Sequence, residues 1–147
     1  MKILLAVDGS EGSLAAVRHA LQLTADGLRS NFVLVNVQEP ASLYEVVVAH
    51  DAQVIENIRD AAGEHALVDA QGLLSAAGLA FDSEIVSGDP GHLIVDVAQR
   101  VGADLVMMGA RGSGDTRAAL GSAATAVLHA ALDTAPLPVT IVRRPEA

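Results

Sequence analysis

The chain contains no cysteine, which excludes disulfides, CxxC redox chemistry and thiolate metal sites together. Aromatic residues are almost as scarce: Phe32, Phe81 and Tyr44 make up 2% of the sequence, and there is no tryptophan. Stacking platforms for single-stranded nucleic acid are therefore missing. Positive charge is short as well, with 9 Lys and Arg against 18 Asp and Glu and a formal net charge of −9. Such a surface repels polyanions over most of its area, so general nucleic-acid binding is disfavoured. Long hydrophobic runs are also lacking. The opening MKILLAVDGS has one lysine and is interrupted at Asp8, which is too short for a secretory core, and no small-residue cleavage site follows. The longest weakly polar segment, 118–132, carries Ser122, Thr125 and His129 and falls short of membrane-spanning length. The expectation is a soluble, cytoplasmic protein with neither membrane nor nucleic acid as partner.

Aliphatic residues are what the chain has in quantity. Hydrophobic residues make up 51% of 147 positions, ample apolar surface to offset chain entropy and exclude disorder. With so few aromatics, the core must be filled by Val, Leu, Ile and Ala, as in buried parallel strands. The length fits one compact domain, residues 1–147.

Short aliphatic runs alternate with longer helical patterns. Residues 2–8 (KILLAVD) predict a first strand, and Ser10 is a good N-cap for a helix running to about Asp26, where Gly27 supplies a stop. Leu14, Val17, Leu21 and Leu28 fall at helical spacing there. Residues 32–37 (FVLVNV) predict a second strand, broken by Gln38-Glu39-Pro40. The segment 41–50 fits a loop, a helical turn or a stray strand equally well. A long helix over 51–77 follows, with Val54, Ile55, Ile58, Ala62, Ala66 and Val68 as its expected buried stripe. Residues 79–86 predict a third strand. Asp89 followed by Pro90 is a strong helix start, with an end near Gly102. Residues 104–108 (DLVMM) predict a fourth strand, 118–132 a last helix and 138–142 a fifth strand. This alternation implies an α/β fold, an open parallel sheet with right-handed crossovers and helices on both faces.

In such a sheet, ligands bind beyond the carboxyl ends of the strands, where the strand order reverses. The candidate breaks are Asp8-Gly9-Ser10, Val37-Gln38 and the glycine-rich stretch after Met108. That last stretch holds Gly109, Gly112 and Gly114, with Gly121-Ser122 near the next helix. Glycines let a backbone turn sharply and bring amides against phosphate oxygens, and a helix N-terminus adds partial positive charge. The bland alternative is a strand-to-helix connection whose glycines merely permit turns. No GK[ST] follows the glycines and no GxGxxG follows the first strand, so neither a Walker loop nor a dinucleotide site is expected.

These residues resemble the universal stress protein family along nearly the whole chain: VDGS (7–10), LVNVQEP (34–40), SGDPGHLIVDVAQRVGADLVMMGARG (87–112), GS (121–122) and PVTIVRR (138–144). The resemblance implies a five-stranded, Rossmann-like sheet in the order 3-2-1-4-5. It also implies a role in stress response, an adenine nucleotide (ATP or AMP, with or without magnesium) as ligand, and a homodimer through the edge strand at 138–143. The family's nucleotide-binding branch carries G-x2-G-x9-G-[ST] after the fourth strand. Gly109, Gly112, Gly121 and Ser122 match its phosphate-binding positions. Asp8 and Val37 match positions near adenine and ribose, and Met108 supports the loop. This chain departs from the motif in having eight residues, Ser113 to Leu120, between Gly112 and Gly121, and in placing Asp115 among them. Those departures leave room for a nucleotide-free dimeric interaction module of the same fold, and a slow ATPase is the other alternative.

Asp8 has two readings, an acceptor for an adenine amine or ribose hydroxyl and a cap for the following helix alongside Ser10. Of the histidines at 19, 50, 65, 92 and 129, His65 stands beside Glu64 with Asp69 at i,i+4 on one helix face, but it lacks the second histidine of HExxH. No metal site is expected. Nor is a serine nucleophile, because no GxSxG elbow is present.

Overall fold

A computed structural model describes residues 1–38, 52–111, 120–134 and 137–144. Aliphatic runs become strands β1 (Lys2–Ala6), β2 (Asn31–Gln38), β3 (Phe81–Ser87), β4 (Leu105–Gly109) and β5 (Val139–Val142). Between them run helices α1 (Glu11–Ala25), α2 (Ala52–Ala76), α3 (Pro90–Val101) and α4 (Ser122–Thr134). All strand pairings are parallel, in the order β3-β2-β1-β4-β5. This is the α/β sheet and strand order expected.

The side-chain period of two divides the core into two halves. Ile3 and Leu5 of β1, Phe32 and Leu34 of β2 and Met107 of β4 pack with Val17 of α1 and Leu67 and Leu74 of α2. Leu4, Val33, Val35, Val106 and Met108 face the other way, onto Ile94, Val95 and Val127 of α3 and α4. Strands covered on both faces need no polar alternation, which is why the first reads ILL without interruption.

Capping sets the helix ends. Ser10 is the N-cap of α1 and its side chain accepts from the Ser13 amide; Asp89 caps α3 by accepting from His92, with Pro90 at the first helical position. Gly102, at φ 71°, closes α3 while the Ala103 amide reaches back to the Ala98 carbonyl at 2.8 Å. Gly78 does the same for α2, and its follower Leu79 donates to Leu74 at 3.0 Å. These are Schellman-type stops, in which a left-handed residue lets the next amide satisfy an orphan carbonyl.

Several boundaries differ from expectation for this reason. Leu79 belongs to the stop of α2, so β3 begins at Phe81. Leu28 lies beyond α1 but still packs on the core, its amide bonded to the Leu23 carbonyl. β1 ends at Ala6 instead of Asp8. The described part of the last helix starts at Ser122; its expected start at Ala118 and the ambiguous segment 41–50 lie outside the described residues.

The largest correction concerns α2. Val54, Ile58 and Val68, expected in its buried stripe, are 43%, 62% and 56% exposed. The core side is instead Gly63, Leu67, Ala70 and Leu74, with Gly63 set against the Ile85 side chain. Successive residues turn by about 100°, which puts Val54, Ile58 and Val68 opposite Gly63 and Ala70. The helix carries apolar residues on both sides, and only the sheet decides which side is inside.

Candidate functional site

The order β3-β2-β1-β4-β5 reverses direction between β1 and β4. A crevice therefore opens beyond their carboxyl ends, because the connections leave on opposite sides. There the described residues enclose a cavity of about 240 Å³, lined among others by Val7, Asp8, Val37, Met108, Gly109 and Ser122. Asp8, Val37, Met108, Gly109 and Ser122, far apart in the chain, thus meet at one place. Gly112 lies outside the described residues, as do Asp115 and Arg117.

The two sides of the cavity differ in chemistry. On the β2 and α3 side the wall is apolar: Val35, Val37, Pro90 and Ile94. Pro90 has no amide hydrogen, and Asp89 already takes the His92 amide, so the N-terminus of α3 brings no free first-position donor. On the β4 and α4 side stand Gly109, Arg111, Ser122, Ala123 and Ala124. Amides in the first turn of a helix have no acceptor within the helix. The start of α4 therefore turns hydrogen-bond donors and partial positive charge toward the cavity, beside the Ser122 hydroxyl and Arg111. One wall suits a flat apolar ring and the other an anion.

Asp8 lines the same cavity and also shapes the turn into α1. Its carboxylate accepts from the Ser10 amide at 2.9 Å, while its own amide donates to the Ser13 hydroxyl at 3.3 Å. Ser10, not Asp8, is the N-cap. The carboxylate holds the turn into α1 and lines the cavity at once.

Gly109 has a packing role that sequence reading did not separate from phosphate contact. A Cβ there would lie 2.5 Å from the Gly12 carbonyl oxygen and 3.1 Å from the Ser13 nitrogen. Gly121 is buried, and its amide donates to the Ala110 carbonyl at 2.6 Å while its carbonyl accepts from the Thr125 amide and hydroxyl. It shapes the start of α4 from within the backbone.

Sequence reasoning missed nine lining residues: Ala6, Val7, Ser13, Val35, Pro90, Ile94, Arg111, Ala123 and Ala124. Val35 had a signal, since it shares the face of Val37 two positions on. Pro90 had one too, as the marked start of a helix that had to leave from the end of β3. Among the described residues no cluster of three or more His, Cys, Asp or Glu is arranged to hold a metal, and no helix is long and apolar enough to cross a membrane.

Comparison with known proteins agrees with this architecture. The chain is 27% identical over 146 residues to the universal stress protein MJ0531 of Methanocaldococcus jannaschii, covering 99% of this chain and 83% of that one. Among solved structures, it resembles the hypothetical protein MJ0577 with a TM-score of 0.80 at 24% identity, over 99% of this chain and 97% of the other. An Arabidopsis thaliana universal stress protein family protein with AMP bound gives 0.69 at 19% identity, over 99% and 92%. A universal stress protein in complex with cAMP gives 0.63 at 25%, over 99% and 98%. The model of the universal stress protein family matches residues 1–143. By that match and the sheet order together, the chain belongs to the universal stress protein family.

Proposed function

We propose that this chain is a cytoplasmic regulatory protein of stress response that binds an adenine nucleotide, ATP or AMP, in the crevice between β1 and β4, and that it works as a homodimer with residues 1–147 as one domain. The observation that carries the reading is the polarity of the cavity, apolar at Val35, Val37, Pro90 and Ile94 and donor-rich at the start of α4. A purine and a phosphate placed the other way round would each meet the wrong wall. The AMP and cAMP bound in the two structurally similar proteins support an adenine nucleotide as the ligand. On this reading Asp8 and Val37 meet the nucleoside, while Gly109, Gly112, Gly121 and Ser122 form the phosphate side on Met108.

The homodimer reading draws on the contrast between the two sheet edges. β3 guards its edge with Asp82 and Glu84, whereas β5 reads VTIV and is half-buried along its length without a charge. Unguarded edges pair with other strands, and a two-fold axis makes the two copies of 138–143 each other's partner.

The test is acid release of bound ligand from the purified protein, read by absorbance and mass, followed by a thermal-shift titration with ATP and AMP. Ligand at about 100 times its dissociation constant stabilises by roughly 2.7 kcal/mol. Gly112→Val should abolish that shift and leave the oligomeric state unchanged. A protein that elutes empty and shows no shift is the nucleotide-free interaction module instead, a reading favoured by the engagement of the Gly121 amide with Ala110. Steady phosphate release that Ser122→Ala abolishes identifies an ATPase.

A further inference from the structure

We propose that Asn36 is a positioning residue for this crevice: from the opposite face of the sheet, its carboxamide holds the Val7 carbonyl and fixes the path on which Asp8 leaves β1. The inference rests on the nucleotide reading above and adds a residue that does not line the cavity.

Asn36 is 2% exposed and stands on β2 in the same alternation as the core residues Phe32 and Leu34, where an aliphatic side chain is the ordinary occupant. A buried amide persists only where its hydrogen bonds are made. Here the Asn36 Nδ2 donates to the Val7 carbonyl at 2.8 Å, and its Oδ1 accepts from Gln38 Nε2 at 2.6 Å. A carbonyl can only accept, so the nitrogen must be the atom facing Val7.

The place of that bond gives it meaning. β1 ends at Ala6, and the Val7 amide still donates to the Val35 carbonyl at 2.9 Å. At the other end of the same residue the Val7 carbonyl takes the side chain of Asn36, and Asp8 follows at the cavity. The Asp8 carboxylate in turn holds the Ser10 amide. On its other side Asn36 is tied to Gln38, whose carbonyl accepts from the Gly88 amide at 2.9 Å, two residues before Pro90 of the apolar wall. One polar chain, buried at Asn36 and half-buried beyond it, thus links the ends of β1, β2 and β3, the three strands that frame the nucleoside side of the crevice.

The experiment compares Asn36→Asp and Asn36→Leu in the full chain. AMP affinity is measured by calorimetry, and amide hydrogen exchange at Asp8, Gly9 and Ser10 is measured by NMR. At about pH 8 both variants should bind AMP about tenfold more weakly than the parent, the effect of one lost buried hydrogen bond. Burial and a facing carbonyl raise the pKa of a carboxyl at position 36. Lowering the pH to about 5.5 should then protonate the carboxyl introduced by Asn36→Asp, restore a donor to Val7, and return affinity toward the parent at the same pH. Asn36→Leu should show no recovery. Exchange at residues 8–10 should quicken in both variants at about pH 8, more than at Phe32 and Leu34. Parent-like affinity and exchange in the folded variants overturn the inference, as does a loss that pH does not reverse in Asn36→Asp. If the parent itself does not bind AMP, the nucleotide reading fails by itself, and the exchange measurement still decides whether Asn36 sets the turn.

Discussion

Gly12 and Gly109 meet backbone to backbone. A Cβ on Gly109 would stand 2.5 Å from the Gly12 carbonyl oxygen, and a Cβ on Gly12 would run into the Arg111 carbonyl. The first turn of α1 and the end of β4 are therefore one packed unit, although the two glycines are remote in sequence. The turn that carries Asp8 and the end of β4 are thereby held against each other.

Gly109→Ala is expected to destabilise the protein by about 1–3 kcal/mol, because overpacking a close backbone contact forces a shift that no flexible side chain can absorb. Gly12→Ala should cost a similar amount. Both clashes fall where the first turn of α1 packs on the end of β4, so one shift can relieve both, and the double variant should be less destabilised than the sum of the singles. Chemical denaturation of the three variants checks this, and additive losses would mean that the two backbones are not coupled.

Arg111→Ala and Ser122→Ala should weaken ATP binding while leaving adenosine binding nearly unchanged. Both residues line the donor-rich wall, and hydrogen bonds to charged groups contribute about 1.5–3 kcal/mol each. Calorimetry with ATP and adenosine side by side reads the difference. Raising salt should erode the ATP affinity of the parent more than that of Arg111→Ala. Equal losses for the two ligands would assign Arg111 and Ser122 a structural role only.

On α2 the two faces are expected to respond in opposite ways. Leu67→Ala removes a side chain 1% exposed and should cost about 2–5 kcal/mol. Ile58→Lys, on the outward face, should stay within about 0.5 kcal/mol of the parent. Thermal or urea unfolding of the two variants distinguishes this arrangement from a helix turned the other way, which would reverse the ranking.

The edge at β5 offers a separate measurement. Thr140→Lys places a charge in a strand whose VTIV sequence has none, and charged edges resist strand addition. Light scattering after gel filtration should show a dimer for the parent and a monomer for the variant, with unchanged circular dichroism. A variant that remains dimeric would move the contact away from this edge.

Several elements were legible because their signals are local. The strand KILLA, the caps Ser10 and Asp89-Pro90, and the stop at Gly102 each depend on a few neighbouring residues and on steric rules that hold in any fold. The stripe of α2 was misread because Val54, Ile58 and Val68 repeat at helical spacing as well as Gly63, Leu67, Ala70 and Leu74 do. Periodicity finds a face but cannot choose between two.

The candidate site divides in the same way. The residue types at Asp8, Val37, Met108, Gly109 and Ser122 marked chain breaks at strand ends, and the family pattern singled them out together. Ile94 joined them only when α3 was laid against the sheet. The buried amide of Asn36 had no local signal at all, since its partner Val7 is a neighbour only across strands.

By itself, the amino-acid order determined the elements, their caps and the aliphatic character of the core, because those depend on contacts between residues close in the chain. Tertiary structure alone decided which side of α2 is buried, why positions 12 and 109 must both lack a Cβ, and how apolar and donor-rich walls face each other across one cavity. Each of those rests on the distance between segments remote in sequence, a quantity set only when the strands pair in the order β3-β2-β1-β4-β5.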